Sequence, residues 1–286
     1  AGRVDIDLDA NEDIVCTFAN TRDEAEVQLA TQRAIRNFMV RRGDRILQAA
    51  PDLTRRVQDR DTRSPGQFAA DINGGTRNVS MGASLSGMRR AAHDSAPQME
   101  GEAADVEADE NGLDVWFSAN YSSVSDDRAG DAADSAFGLV QLGADWMLGQ
   151  QTIVGVMFQH DWMDETADDI AERAGAIRGA RIEGSGWLAG PYLVREIGDG
   201  LWFDATAMYG ESDNTVDPLG LYEDEFTTTR YLVRMNLTGE WRSGNWRIRP
   251  TAGLAHFEES QAAYVDSLGI DIPEQTIAIG RFQAGP

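Results

Sequence analysis

The sequence predicts an all-β fold, an antiparallel up-and-down transmembrane β-barrel with about eight strands present, preceded by an α-helical linker. Three observations carry that prediction. After Gly112, apolar residues recur with a period of two in runs of roughly ten residues, the length a tilted strand needs to cross a bilayer. The gaps between runs alternate: those at 148–151, 197–200 and 242–245 are tight turns, and those near 123–135, 163–181, 211–225 and 258–275 are long, polar and acidic. Short turns at one end and long loops at the other are the pattern of outer-membrane barrels. Ahead of these runs, finally, the period changes to that of a helix.

Taken in chain order, residues 3–18 set Val4, Ile6 and Leu8 against Asp5, Asp7 and Asp9, with Ile14, Cys16 and Phe18 following. This is a hairpin with one wet face. Two strands alone are not stable in water, so it reads as the end of a β-sandwich lying upstream. From Asp23 the pattern switches. Thr21 or Asp23 can cap a helix, and Glu24 and Glu26 suit its positive end. Ala30, Ala34, Ile35, Phe38, Met39 and Ile46 follow at helical spacing, while Arg33, Arg36, Arg41, Arg42 and Arg45 occupy much of the remaining surface. One helix is expected over 24–49, with Gly43 a weak point, and Pro51 restarts a shorter helix to about Arg60. An amphipathic helix on a soluble core has the same pattern, so this element alone decides nothing. Residues 61–111 read as a flexible acidic linker, marked by Ser64-Pro65-Gly66, Asn73-Gly74-Gly75, Ala96-Pro97 and the acidic run 100–110. Inside it, 79–88 fits a strand and 84–92 fits a helical turn equally well.

The runs after Gly112 each have one apolar face. Leu113, Val115, Phe117, Ala119 and Tyr121 oppose Asp114, Trp116, Ser118, Asn120 and Ser122. Val140, Leu142, Ala144, Trp146 and Leu148 oppose Gln141, Gly143 and Asp145; Val154, Val156, Phe158 and Trp162 oppose Gly155, Gln159 and Asp161. A less regular run covers 186–195. Leu201, Phe203, Ala205, Ala207 and Tyr209 oppose Asp204 and Thr206. Tyr231, Val233, Met235, Leu237 and Trp241 oppose Arg230, Arg234, Asn236, Thr238, Glu240 and Arg242. Trp246, Ile248, Pro250, Ala252 and Leu254 oppose Arg247, Arg249 and Thr251, and a strand-like run at 275–282 ends the series. A β-sandwich also shows one apolar face per strand. Two features favour the barrel. Trp146, Trp202, Trp241 and Trp246 lie within three residues of the short turns, which assigns them to one membrane interface, where aromatic girdles sit. Charges stand mid-strand at Asp204, Arg234 and Arg249, which suits a wet lumen and not a dry core. In a sandwich that face is simply solvated, so this alternative stays open. Pro250 inside a strand is an objection, since it lacks a ladder donor.

Composition narrows the classes further. The length of 286 residues allows one or two domains. A mean hydropathy of -0.40 and the lack of any uncharged apolar stretch of ~18 residues exclude a helical membrane protein. A net charge of -23 excludes nucleic acid as a partner, because phosphate binding needs a basic surface. The acidic run at 100–110 reads as a solvated linker. A single cysteine, Cys16, excludes an internal disulfide framework and thiolate metal clusters. The chain opens at Ala1 with no signal segment and closes at Gly285-Pro286 just after a strand-like run, so it is expected to be a piece of a larger precursor.

Catalytic and metal motifs are not expected. His93, His160 and His256 are widely separated and give no ligand pair at helical spacing; His160 and His256 lie near strand ends and read as interfacial. Asp5-Ile6-Asp7-Leu8-Asp9 has the carboxylate spacing of a calcium loop, but Ala10 replaces the needed glycine and Cys16 the closing Glu. Gly210-Glu211-Ser212-Asp213-Asn214 fails as a nucleophile elbow at its last position, and no phosphate-cradling glycine loop occurs. No enzyme, cofactor or metal is expected.

The stretches 136–145, 154–158 with 163–166, 186–192, 202–205 and 267–270 resemble the translocator domain of bacterial autotransporters, the type V secretion β-barrel. Residues 31–42 are similar to the helix that precedes such barrels, and 16–21 to the closing strand of repeats in surface passengers. The resemblance covers nearly the whole chain, and order and spacing carry it rather than any one motif. It implies a barrel of about twelve strands with a helix in its lumen, so that about four strands lie downstream and this piece alone is not a working translocator. The domain organisation it implies is 1–21, the end of a passenger β-domain; 22–60, linker and pore helix; 61–111, acidic linker; 112–286, partial barrel. The function it implies is outer-membrane anchoring and export of an N-terminal passenger to the cell surface. The partners it implies are outer-membrane lipid, the chain's own passenger, the barrel-assembly machinery and periplasmic chaperones. A porin-like or adhesin barrel and a soluble sandwich binding module are the alternatives; the hairpin at 3–18 argues against the first.

Opposite charge suggests how the helix is held. Arg33, Arg36, Arg41, Arg42 and Arg45 are expected to lie against lumenal Asp114, Asp145, Asp161, Asp204 and Glu240. Arg230, Arg234, Arg247 and Arg249 do not fit this pairing and read as an anion-attractive stripe on the wall. Reversing Arg41 and Arg42 to Glu is expected to weaken plugging, read as raised single-channel conductance; unchanged conductance would sink the idea.

Overall fold

The computed structural model describes residues 24–59, 67–73, 76–95, 112–124, 133–167, 180–220, 222–243 and 246–285. The hairpin expected at 3–18, the passenger end at 1–21 and the acidic run at 100–110 lie outside the described residues.

Helix α1 spans Glu24–Gln48, with Glu24 and Glu26 in its first turn and Arg45 in its last, the charge order that the helix dipole favours. Gly43 does not interrupt it. Pro51 separates it from α2 (Leu53–Asp59), whose N-terminus is capped by Asp52 Oδ1 accepting from the Arg55 N–H at 3.2 Å. The segment expected to be a linker contains more structure than its composition suggests: β1 (Gln67–Asn73), β2 (Thr76–Ser84) and α3 (Leu85–Ser95). Both readings of 79–92 hold in succession. Ser84 ends the strand and its Oγ accepts from the Gly87 N–H at 3.2 Å, which starts the helix.

After Gly112 come β3 (Leu113–Val124), β4 (Ala133–Met147), β5 (Thr152–Ala167), β6 (Ala180–Gly198), β7 (Leu201–Asp217) and β8 (Asp224–Gly239). They are followed by β9 (Trp241–Ser243), β10 (Trp246–Ile248), β11 (Thr251–Gln261), β12 (Tyr264–Val265), β13 (Asp271–Ile272) and β14 (Gln275–Gly285). One ten-stranded up-and-down antiparallel sheet runs in the order β1-β2-β3-β4-β5-β6-β7-β8-β11-β14. Among the described residues β1 pairs only with β2, and β14 only with β11.

All four gaps expected to be long loops are partly strand, those near 123–135 and 258–275 because β3 runs to Val124, β4 starts at Ala133, β11 runs to Gln261 and β14 starts at Gln275. The ladder continues through Ala167, from Ala180, through Asp217 and from Asp224, and β6 reaches 19 residues. Apolar alternation stops where lipid contact stops, but hydrogen bonding between strands does not. At the other end the run expected over 246–254 is split. β9 and β10 form a separate hairpin, and β11 starts only after Pro250, whose carbonyl accepts from the Gly239 N–H at 2.9 Å. The missing proline N–H is placed at the break, where no ladder donor is required.

The tight turns at 148–151 and 197–200 are present. Gly200 has φ +65°, and a Cβ there would stand 2.5 Å from the Glu240 carbonyl oxygen, which leaves room only for glycine. Gly200→Ala is expected to lower stability by at least about 1–2 kcal/mol, the left-handed backbone cost alone. The urea midpoint of the detergent-solubilised protein measures it; an unchanged midpoint would mean that the turn re-forms with another geometry.

The sheet curves around α1, which contacts strands from β4 to β7 as well as β11, β13 and β14. Its convex face is apolar and exposed (Leu142 49 %, Val156 53 %, Leu254 61 %), as a lipid-facing wall requires. Trp146, Trp241 and Trp246 are exposed beside the short turns. Trp202 is not: it is 9 % exposed and lies on the concave face with Asp204, because its sequence parity is that of Asp204 and not of Leu201 and Phe203. A second outward aromatic row, Tyr121, Trp162, Trp187, Tyr209 and Tyr231, stands toward the long-loop end, with Tyr209 and Tyr231 ring centroids 5.3 Å apart. The concave face is not uniformly wet either. Phe137, Leu139, Ile153, Met163, Leu188 and Phe257 are buried there in one core with Ile35, Phe38, Met39 and Ile46 of α1.

Candidate functional site: the helix–wall interface

Period-two alternation sends every second side chain of the wall toward α1, so the interface is set by strand parity. Asp114, Asp145, Asp161 and Asp204 all lie on the concave face and are buried, as their parity requires. The arginines of α1 divide by helical face. Arg33 and Arg36 are exposed and make no ion pair among the described residues. Arg41, Arg42 and Arg45 reach the wall, but not the five acids expected.

Arg41 makes a forked pair with Glu165, with Nε 2.7 Å from Oε2. Arg45 donates to the hydroxyls of Ser122 (2.7 Å) and Ser135 (2.6 Å), its guanidinium 6.0 Å from the Phe137 ring centroid. Arg42 is fully buried and donates to Asn214 Oδ1 at 2.7 Å, Ser212 Oγ at 2.9 Å and Glu259. Thr228 Oγ1 also donates to Glu259, at 2.6 Å.

Asp161 is taken by the wall itself: Arg230 donates to it at 2.7, 2.8 and 3.0 Å, with both side chains fully buried. Arg230 is therefore no part of an open anion-attractive stripe. Arg234 is half-buried on the concave face, Arg249 pairs with Asp52 at 3.1 Å, and the Arg247 side chain lies outside the described residues. Glu240 follows β8 at the short-turn end, where its N–H donates to the Gly200 carbonyl at 2.7 Å. Asp204 accepts from Asn236 at 2.8 Å and from Thr54 of α2 at 3.4 Å.

Asp114 and Asp145 are served by a residue the sequence reading passed over. Arg56 of α2 donates to Asp114 Oδ2 at 2.8 Å and Asp145 Oδ2 at 2.9 Å. Around it, Tyr192 donates its hydroxyl proton to Asp145, Trp116 Nε1 donates to the Tyr192 hydroxyl at 2.8 Å, and the Arg56 guanidinium lies 5.2 Å over the Trp116 ring. Gly143 and Gly155 leave the space these two rings fill, since a Cβ would stand 2.2 Å from the Trp116 ring and 2.5 Å from the Tyr192 ring. Ser86 of α3 donates to Asp114 through its N–H (2.9 Å) and Oγ (2.8 Å). The signal for Arg56 was in the sequence: it lies in the same restarted helix that Pro51 announces.

The helix has a fixed direction. Near its start, Gln28 Nε2 donates to the Asp271 carbonyl at the long-loop end; beyond its finish, Arg56 sits beside the short turns. The hairpin β12–β13 closes over that upper end, where Asp224 accepts from Ser267 N (2.8 Å) and Oγ (2.7 Å), and Tyr222 donates to Asp266 at 3.3 Å. Burial, and then the negative charges of Asp266 and Asp224, push the Tyr222 hydroxyl above the usual phenol range.

Among the described residues no cluster of three or more His, Cys, Asp or Glu side chains is arranged to hold a metal ion, and no helix is long and apolar enough to cross a membrane. A curved, up-and-down sheet with a lipid-facing exterior and a helix bound inside defines the class of outer-membrane β-barrel proteins. Residues 115–285 match the family described as autotransporter beta-domain, and the chain belongs to that family. Its location is the bacterial outer membrane. Among solved structures, the chain is similar to the beta domain of the Bordetella autotransporter BrkA, at 11 % identity, 68 % of this chain, 81 % of that one and a TM-score of 0.37. It is also similar to the Vibrio cholerae outer-membrane protein OmpT, at 11 % identity, 73 % of this chain, 56 % of that one and a TM-score of 0.30. A third is the ferric enterobactin receptor PfeA of Pseudomonas aeruginosa, at 12 % identity, 68 % of this chain, 31 % of that one and a TM-score of 0.32. The chain thus spans about half the length of OmpT and a third of PfeA. No curated protein matches in sequence.

Proposed function

We propose that this chain anchors an N-terminal passenger in the outer membrane and helps deliver it to the cell surface, with α1 remaining in the lumen as plug and tether. The observation that carries the reading is the direction of α1. It begins at the long-loop end, the extracellular end of outer-membrane barrels, so polypeptide preceding it starts on the outside. A helix with one fully buried arginine and two more bound to the wall is a retained element, consistent with a tether rather than a segment in transit. Membrane lipid and the passenger are the partners this role requires, and assembly machinery and periplasmic chaperones are those an outer-membrane barrel needs to reach its site. No step of the role calls for catalysis.

The test uses the full-length precursor. Its outer-membrane fraction is run with and without heating, and intact cells are treated with protease. A compact heat-sensitive band, with upstream sequence digested from outside, is the expected result. A heat-insensitive soluble product, or upstream sequence protected in intact cells, would overturn the reading.

A further inference from the structure

The wall contains a slot whose shape and donor–acceptor pattern fit one guanidinium group. Its floor is β6, where Gly184 and Gly186 face inward two residues apart. A Cβ at Gly184 would stand 2.9 Å from Arg42 Nη1 and 2.1 Å from Asn214 Oδ1; one at Gly186 would stand 2.4 Å from Arg230 Nη2. Two bare backbone positions thus admit two guanidinium groups side by side, one from the helix and one from the wall. Over the first, the Phe38 ring of α1 lies with its centroid 4.7 Å from Arg42 Cζ. Along its edge are three acceptors, Asn214 Oδ1, Ser212 Oγ and Glu259, contributed by two different strands. A flat cation with donors on several edges reaches these together while lying between the bare backbone at Gly184 and the Phe38 ring, a narrow space that suits a planar guanidinium better than a tetrahedral ammonium.

Charge requires that the occupant be a cation. With Arg42 seated, Arg42 and Arg230 face Glu259 and Asp161, and the four buried groups balance. Without it, Arg230 faces two carboxylates and the slot is left one negative charge in excess, in a place with no water contact. Glu259 Oε2 and Arg42 Nε have no partner among the described residues, so the seat holds the group without using every donor and acceptor. Helix position does not by itself bury an arginine here, because Arg33 and Arg36 of α1 are exposed.

We propose that this slot is a guanidinium-selective binding site of the wall, occupied by Arg42 when the helix is seated and open to a free guanidinium ion when that side chain is removed. The proposal deepens the plug reading above and rests on it. Its consequence is that one arginine fixes the depth and rotation of the helix.

The experiment is chemical rescue. Full-length protein from outer membranes is placed in planar bilayers, and conductance is compared for native protein, Arg42→Ala, Arg42→Lys and a deletion of residues 24–48. Arg42→Ala is expected to raise conductance several-fold, and guanidinium chloride at non-denaturing millimolar concentration to return it toward native, with ammonium and sodium chloride inactive. Arg42→Lys is expected to resemble Arg42→Ala without rescue, because the lysine stem fills the slot. If Arg42→Ala does not assemble, Arg42→Lys carries the test, and native conductance and heat-modifiability in it would overturn the proposal. Rescue of Arg42→Ala by ammonium as well as by guanidinium, or no response to either, would also overturn it. Unchanged conductance in the deletion would instead remove the plug reading itself.

Discussion

Asp161→Ala is expected to destabilise the assembled wall by about 3–5 kcal/mol, the cost of stranding a buried charge without its partner. Arg230 is fully buried and donates to Asp161 at 2.7, 2.8 and 3.0 Å across the concave face, from β8 to β5, and the carboxylate opposite it in the ladder, Glu259, is already paired with Arg42, so removing Asp161 leaves the buried group one positive charge in excess. The pair itself need not be stabilising. Replacing both members with apolar residues, Asp161→Leu with Arg230→Met, is expected to recover most of the loss, because two desolvation penalties disappear together. Urea unfolding of the detergent-solubilised protein, followed by loss of heat-modifiable mobility, measures both variants. A single variant within error of native, or a double variant as unstable as the single, would show that the pair is solvated in the membrane.

Gly43→Val is expected to unseat α1. A glycine inside a helix is unfavourable by roughly 1 kcal/mol against alanine, so its presence calls for a packing reason. The reason here is close approach: a Cβ at position 43 would stand 2.7 Å from Phe257 Cδ1 and 2.8 Å from Ile279 Cδ1, on β11 and β14. Valine overpacks this contact by more than one methyl group, for a cost of about 1–3 kcal/mol. Because Arg42 is the adjacent residue, displacement at 43 also draws its guanidinium from Glu259. Conductance is expected to rise while the heat-sensitive band persists, since the wall does not depend on the helix for its ladder hydrogen bonds. A native conductance would mean that Phe257 turns aside at little cost.

What the sequence made legible follows from what its periodicity reports. Alternation of apolar with polar residues records contact with lipid, and over that band the strands, their parity and the buried positions of Asp114, Asp145, Asp161 and Asp204 could be read directly. Trp202 was readable on the same ground, since it shares the parity of Asp204; proximity to a turn was the weaker guide. Beyond the band both faces of a strand are polar and the signal vanishes. Glu165, Ser212, Asn214 and Glu259, which bind the helix arginines, fall in stretches that composition assigns to loops, and Thr228, which completes their network, lies just ahead of the alternating run that begins at Arg230. Pairing of charge by sign alone was also too coarse. It placed Arg230 and Asp161 on the same wall without pairing them with each other, and it could not know that Arg56 and not α1 meets Asp114 and Asp145. The hairpin β1–β2 was hidden because Asn73-Gly74-Gly75 signals a turn and a linker alike.

The length of the strands has a consequence for how a cell displays this protein. An apolar band ~25 Å tall takes up only part of a 19-residue strand such as β6, even one tilted by about 45°. Above the row of Trp187, Tyr209 and Tyr231, the outward side chains are polar and mostly acidic, Glu183, Glu211, Asp213 and Glu225 with Arg181 paired among them, while the ladder continues. What an antibody or a phage meets at this height is a stiff, acidic rampart with fixed side-chain spacing. Recognition there would be conformational, lost on denaturation and poorly imitated by linear peptides.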